Sequence, residues 1–146
     1  MIRLLDVNVL LALAWPEHLH HEPAHRWFAQ HRAEGWATCP VTQSGFVRLS
    51  SNRNVIADAM TPVEAIAAIE RSTDHPEHHW WPQDEPVAKL SPEMMVRIMG
   101  PGHMSDAVLL DLAIKRGGRL ATFDAGIARL LPKASPLAAH LEVIPS

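Results

Sequence analysis

The chain has 146 residues, 47% of them hydrophobic, which suits one domain with one core and excludes a disordered chain. A formal net charge of −3, with 13 Lys and Arg against 16 Asp and Glu, excludes a globally basic nucleic-acid binder; any polyanion must be met by a local patch or through metal ions. The single cysteine, Cys39, excludes an intramolecular disulfide, and the lack of a leader pattern or a long apolar run predicts a soluble protein in a reducing, cytoplasmic setting without membrane contact.

In chain order, Ile2, Leu4 and Leu5 read as a short buried strand ending at Asp6. The helix that follows ends near Ala14, because Pro16 restricts Trp15. A second helix is expected within His18 to Ala33, regular from about Pro23 and broken by Gly35. Trp36 to Cys39 reads as a strand stopped by Pro40, and Val41 to Leu49 as a helix with Phe46, Val47 and Leu49 on its apolar side. A polar loop follows. Thr61-Pro62-Val63-Glu64 then starts another helix with a capping box. Trp80 and Trp81 suggest a short strand, and Pro92 to Met99 a helix stopped by Gly100-Pro101-Gly102. Ser105-Asp106 opens a helix closed by Gly117-Gly118. Arg119 to Phe123 is a strand leading to Asp124, Gly126 to Leu131 a last helix and Leu141 to Ile144 a final strand. Short strands alternating with helices predict a single three-layer α/β/α domain, residues 1–146, around a mainly parallel sheet.

Three acids occupy comparable points in that plan. Asp6 and Asp124 each follow a strand, and Asp106 lies in the first turn of a helix. Each has an ordinary explanation as a cap or as a favourable charge at a helix start. Together they suggest more. Carboxylates gathered at one sheet edge repel one another and raise one another's pKa unless a cation joins them. Hard oxygen donors suit Mg²⁺ or Mn²⁺, and such a site activates water and clamps a phosphodiester.

The segments Leu4-Leu5-Asp6-Val7-Asn8-Val9-Leu10-Leu11-Ala12, Thr42-Gln43-Ser44-Gly45-Phe46-Val47-Arg48, Ser105 to Ala113 and Arg119 to Asp124, in this order, resemble PIN-domain ribonucleases of the bacterial VapC toxin type. The resemblance covers essentially the whole chain. It implies a Mg²⁺- or Mn²⁺-dependent endoribonuclease, commonly dimeric, that a cognate VapB-type antitoxin neutralises. Carried over by position, Asp6, Asp106 and Asp124 are the catalytic, metal-binding acids. Asn8 supports Asp6, and Thr122 orients the final acid or the attacking water. One departure matters: the family usually has a glutamate where this chain has Gln43. That removes one negative charge and predicts weaker binding of a second ion. It also keeps open a catalytically weak PIN-like module whose role is binding RNA or an antitoxin. A phosphotransferase with Asp6 as nucleophile fits less well, because Asn8 stands where a second acid belongs.

Several other residues carry competing readings. His21 and His25, at i, i+4 spacing, fit zinc or a solvated surface. Trp80 and Trp81 fit base stacking or packing. Arg48 and Arg53 are candidates for RNA phosphates, with a buried salt bridge the alternative for Arg48. Asp111 falls off the helix face of Asp106 and is a weaker neighbour of the site.

Overall fold

Leu4 and Leu5 are adjacent, fully buried and, in an extended chain, point to opposite sides. A strand of that kind needs cover on both faces, and the fold provides it. The computed structural model describes residues 1–146. It contains β1 (Arg3–Leu5), β2 (Trp36–Thr38), β3 (His78–Trp80), β4 (Arg119–Thr122) and β5 (Leu141–Val143). All pairings are parallel and the strand order is β3-β2-β1-β4-β5. The helices are α1 (Val7–Ala14), α2 (His21–His31), α3 (Pro40–Ser50), α4 (Pro62–Thr73), α5 (Pro92–Met95) and α6 (Met104–Lys115).

Two cores sandwich the sheet. Leu5, Trp36 and Ala121 pack against Val9 and Leu10 of α1, Trp27 of α2, Phe46 of α3 and Ile69 of α4. Leu4, Ala37 and Leu120 pack on the other face against Met94 of α5 and Ala107, Leu110 and Ala113 of α6. The expected three layers and parallel sheet are therefore present. The chain moves from β1 outward to β2 and β3, then crosses back to β4 on the other side of β1. Open parallel sheets bind ligands at such a reversal, outside the carboxyl ends of the strands. Asp6, Thr122 and Asp124 lie at that place.

Some element boundaries differ from expectation. The helix beginning at Pro92 stops at Met95 rather than Met99. Met94 is buried, but Val96 and Met99 are 75% and 82% exposed, so no apolar face carries the helix further. Ala125–Leu130 is a 3-10 segment rather than an α-helix. The second helix ends at His31 and gives way to a 3-10 turn, Arg32–Glu34. Trp81 lies one residue beyond β3, although its backbone N–H still donates to Thr38 O at 2.9 Å. The capping box of α4 is present: Glu64 N donates to Thr61 Oγ1 at 3.2 Å and Thr61 N to Glu64 Oε1 at 2.9 Å.

The turn from α6 into β4 requires glycine for want of space. A Cβ on Gly118 would stand 2.5 Å from the Ile2 carbonyl oxygen and 2.6 Å from the buried Trp81 ring. The first neighbour is backbone of the central strand and cannot swing aside. Gly118→Ala is therefore expected to destabilise the fold by about 2–3 kcal/mol, as overpacking does. Urea unfolding of the two proteins checks this, and an unchanged midpoint would contradict it.

Candidate active site

The site grows from two short connections. At the end of β1 the chain turns straight into α1, with Asp6 as the N-cap and its Oδ1 accepting from Val7 N at 2.7 Å. At the end of β4, Asp124 plays a similar part: its Oδ1 accepts from Gly126 N at 2.8 Å and starts the 3-10 segment. Both ordinary capping explanations thus hold, and each leaves one carboxylate oxygen for other work.

Thr122 joins the two connections. Its hydroxyl is fully buried and donates to Asp6 Oδ2 at 2.8 Å. The same oxygen accepts from Asn8 Nδ2 at 3.1 Å and from Asp124 N at 3.0 Å. One proton and two lone pairs are then all in use. Thr122 consequently fixes Asp6 and the backbone of the final acid, and it has no capacity left to orient a water. Asn8 closes the loop, with Oδ1 accepting from Phe123 N at 3.2 Å. It supports Asp6 chiefly through Thr122, since its own approach to Asp6 Oδ2 is a long 3.5 Å.

The third acid arrives from the other face of the sheet, in the first turn of α6. Burial first, and then the nearby charges of Asp6 and Asp124, push the Asp106 carboxyl up to about 6. Burial also raises the Asp6 carboxyl, against the lowering bonds from Thr122 and Val7 and with a further raise from Asp124. The three acids are near enough to repel one another, and all eight ion pairs of the chain lie elsewhere. The negative charge stands uncompensated by Lys or Arg.

The acids do not close into a ready-made shell: no three His, Cys, Asp or Glu side chains come together tightly enough to hold a metal by themselves. The donor chemistry still suits a hard divalent cation. Mg²⁺ keeps several of its waters and commonly takes only one or two carboxylates from protein, with substrate phosphate supplying the rest. Unpaired, mutually repelling carboxylates at the carboxyl edge of a parallel sheet meet that need.

Gln43 lies one turn into α3 and its Nε2 donates to Thr38 Oγ1 at 3.0 Å. The helix comes close to the Asp6 cap here, because a Cβ on Gly45 would meet Val7 Cγ2 at 2.6 Å. Arg48 and Arg53 are exposed and form no ion pair, so the buried salt bridge considered for Arg48 is absent. Arg48 instead lines a groove with Gln43, Val47, Ile66 and Trp80. Trp80 is half exposed, whereas Trp81 is buried and packs in the core. Asp111 turns away from the acids: it pairs with Lys115 Nζ at 2.7 Å and accepts from Ser91 N at 3.3 Å.

The histidine pair also has an ordinary role. His21 Nδ1 lies 2.7 Å from Ala12 O, and His25 Nε2 lies 2.8 Å from Leu13 O. Carbonyls only accept, so both nitrogens are N–H donors serving the open carboxyl end of α1. The sequence reading also missed the partnership of Thr38 and His78, whose Oγ1 and Nε2 lie 2.8 Å apart across β2 and β3.

Comparison with known proteins agrees with this geometry. The family model for the PIN domain matches residues 3–130, a span that contains all three acids. Ribonuclease VapC39 of Mycobacterium tuberculosis is 46% identical over 128 residues, covering 88% of this chain and 92% of that protein. Ribonuclease VapC38 of the same organism is 41% identical over 127 residues, covering 87% and 88%. Ribonuclease VapC44 is 38% identical over 128 residues, covering 88% and 89%. The chain belongs to the PIN-domain family, among its VapC-type members.

Proposed function

We propose that this protein is a divalent-metal-dependent endoribonuclease, the toxin of a toxin–antitoxin pair, held inactive by a cognate VapB-type antitoxin. The observation that carries the reading is the uncompensated acid cluster, in which Asp6 and Asp124 each raise the pKa of Asp106. The VapC relatives, named as ribonucleases, give the reaction class. The reading extends to a homodimer in the cytoplasm. No helix is long and apolar enough to cross a membrane.

Asp6, Asp106 and Asp124 would hold Mg²⁺ or Mn²⁺. When bound, the ion lowers the pKa of a water and offsets charge on the phosphoryl oxygens of the scissile bond. The chain's own contribution is placement. Thr122 and Asn8 hold Asp6 and the Asp124 loop in register before RNA arrives. Either Asp124 or Asp106 would take the proton of the attacking water. Arg48, Arg53 and the exposed face of Trp80 would meet phosphate and base.

The catalytically weak alternative rests on Gln43, and one assay separates the two. Purified chain free of antitoxin is incubated with total RNA and Mg²⁺ or Mn²⁺. Cut RNA supports the enzyme. Intact RNA, with the chain folded and RNA retained, supports a binding module.

A further inference from the structure

Gln43 lines the groove with Arg48 and Trp80, and its amide nitrogen is held by a buried threonine. We infer that Thr38 and His78 are positioning residues that hold the Gln43 amide nitrogen inward and leave its carbonyl oxygen outward to accept from a hydroxyl donor. The donor is either a ribose 2′-hydroxyl of the substrate or a water of the site. The inference rests on the ribonuclease reading for its purpose, but its geometry stands alone.

Thr38 is fully buried at the end of β2. Its Oγ1 lies 3.0 Å from Gln43 Nε2 and 2.8 Å from His78 Nε2. An amide NH₂ only donates, so Thr38 accepts from Gln43. Gln43 and His78 are the only hydrogen-bond partners of this hydroxyl, so its one proton has no acceptor but His78 Nε2, which is then bare. His78 is therefore a neutral imidazole with its proton on Nδ1. A proton on Nε2 would leave the Thr38 hydroxyl proton without an acceptor unless the Gln43 amide turned its oxygen inward and its NH₂ outward. The position of one imidazole proton thus decides which end of the amide meets the substrate groove. The surroundings favour the first order: His78 is part-buried beside Trp36, ring centroids 4.8 Å apart, and burial together with His79 lowers its pKa. The register of β2 with β3 opposes Trp36 to His78 and Thr38 to Trp80. The strand that brings His78 to Thr38 therefore also brings Trp80 into the groove beside Gln43.

A glutamate at position 43 would reverse the arrangement. A carboxylate only accepts, so Thr38 would donate to it and His78 would have to donate to Thr38 through Nε2. The chain is built around the amide.

The test uses the full chain labelled with ¹⁵N-histidine, with ring nitrogens assigned by proton correlation, and RNA cleavage measured in parallel. Wild type and Thr38→Ser are expected to show His78 neutral with the proton on Nδ1. Gln43→Glu is expected to move that proton to Nε2. Thr38→Val, which keeps the shape and loses the hydroxyl, is expected to lower kcat about 10-fold with KM little changed, as misplacement of a site group does. Thr38→Ser should restore it. A substrate with a single 2′-deoxyribose at the cut distinguishes the donors. If the gap between wild type and Thr38→Val closes, the donor is the ribose hydroxyl; if it persists, the donor is water. A wild-type His78 protonated at Nε2 overturns the inference, as does a folded Thr38→Val that cleaves like wild type. Should that variant not fold, the wild-type and Gln43→Glu spectra decide. If wild type shows the Nδ1 proton but cuts no RNA, the ribonuclease reading fails and the positioning role stands.

Discussion

Asp106→Asn is expected to lower RNA cleavage at least about 100-fold, the scale on which removal of a charge-stabilising group acts, while making the metal-free chain more stable. The two effects share a cause. The carboxyl of Asp106 is half-buried beside Asp6 and Asp124, and its pKa rises from 3.8 to about 6. Between those values the folded chain holds a proton that the unfolded chain has lost, so stability falls as pH rises through the window. Above about 6 the penalty is fully present. Asparagine keeps the shape and removes the charge. With chelator present, the variant should melt a few degrees above wild type at pH 7 to 8, an effect kept small by solvent screening. The difference should close as pH falls through 6 towards 4. Asp6→Asn should share the loss of cleavage; its single oxygen can accept from the Val7 N–H or from the Thr122 hydroxyl but not from both, since these meet different oxygens of Asp6. Wild-type cleavage by either variant, or an Asp106→Asn protein that melts below wild type at pH 8, would contradict this account.

The largest expected effect on stability lies at the opposite end of the sheet. Arg3 is 5% exposed and donates from Nε to Glu142 Oε1 at 3.0 Å, while its Nη1 reaches Glu34. Glu142 also accepts from Trp27 Nε1 at 2.6 Å and from Arg119 at 3.3 Å. Burial alone would raise the Glu142 carboxyl, but the bonds from Arg3 and Trp27 outweigh it and hold it below its ordinary range. Glu142→Leu leaves the buried Arg3 guanidinium with only the more exposed Glu34 as a partner and is expected to cost about 3 kcal/mol, since removing one partner leaves a buried charge undercompensated. Replacing both partners, Arg3→Met with Glu142→Leu, should recover part of the loss. The sign with pH is opposite to that of Asp106. Glu142 stabilises at pH values above its ordinary carboxyl value of 4.5, and the contribution disappears as pH falls through its lower folded value. Urea unfolding at pH 7 and pH 3.5 checks both statements. A Glu142→Leu midpoint equal to wild type at pH 7 would contradict them.

The acids were legible in the sequence because each follows a signal that needs no long-range information. Asp6 and Asp124 follow short apolar runs, and Asp106 follows a Gly-Pro-Gly break. The three-layer architecture was legible for the same reason, since alternating strands and helices admit few arrangements. The groups that hold the acids in place were harder to see. Thr122 has three partners, from Asp6, Asn8 and Asp124, and only the fold shows that they use up its hydroxyl. Thr38 and His78 are 40 residues apart and meet only once the register of β2 and β3 is set. Arg3 and Glu142 are separated by 139 residues and depend on strand order. The helix expected through Met99 ended early because its pattern lacked a second buried turn, which burial reveals and propensity does not. The role of the histidine pair was not legible because i, i+4 spacing reports only a shared face, while the carbonyls it serves belong to a different helix.

The central claim is that an uncompensated carboxylate cluster makes this chain a metal-dependent ribonuclease. Its most direct test is incubation of the purified, antitoxin-free chain with total cellular RNA, in Mg²⁺, Mn²⁺ or chelator, with the cut ends mapped. The predicted result is discrete cleavage with either metal, none with chelator and none with Asp106→Asn. Cleavage that persists undiminished in chelator, or RNA left intact by the folded chain in both metals, would contradict the account.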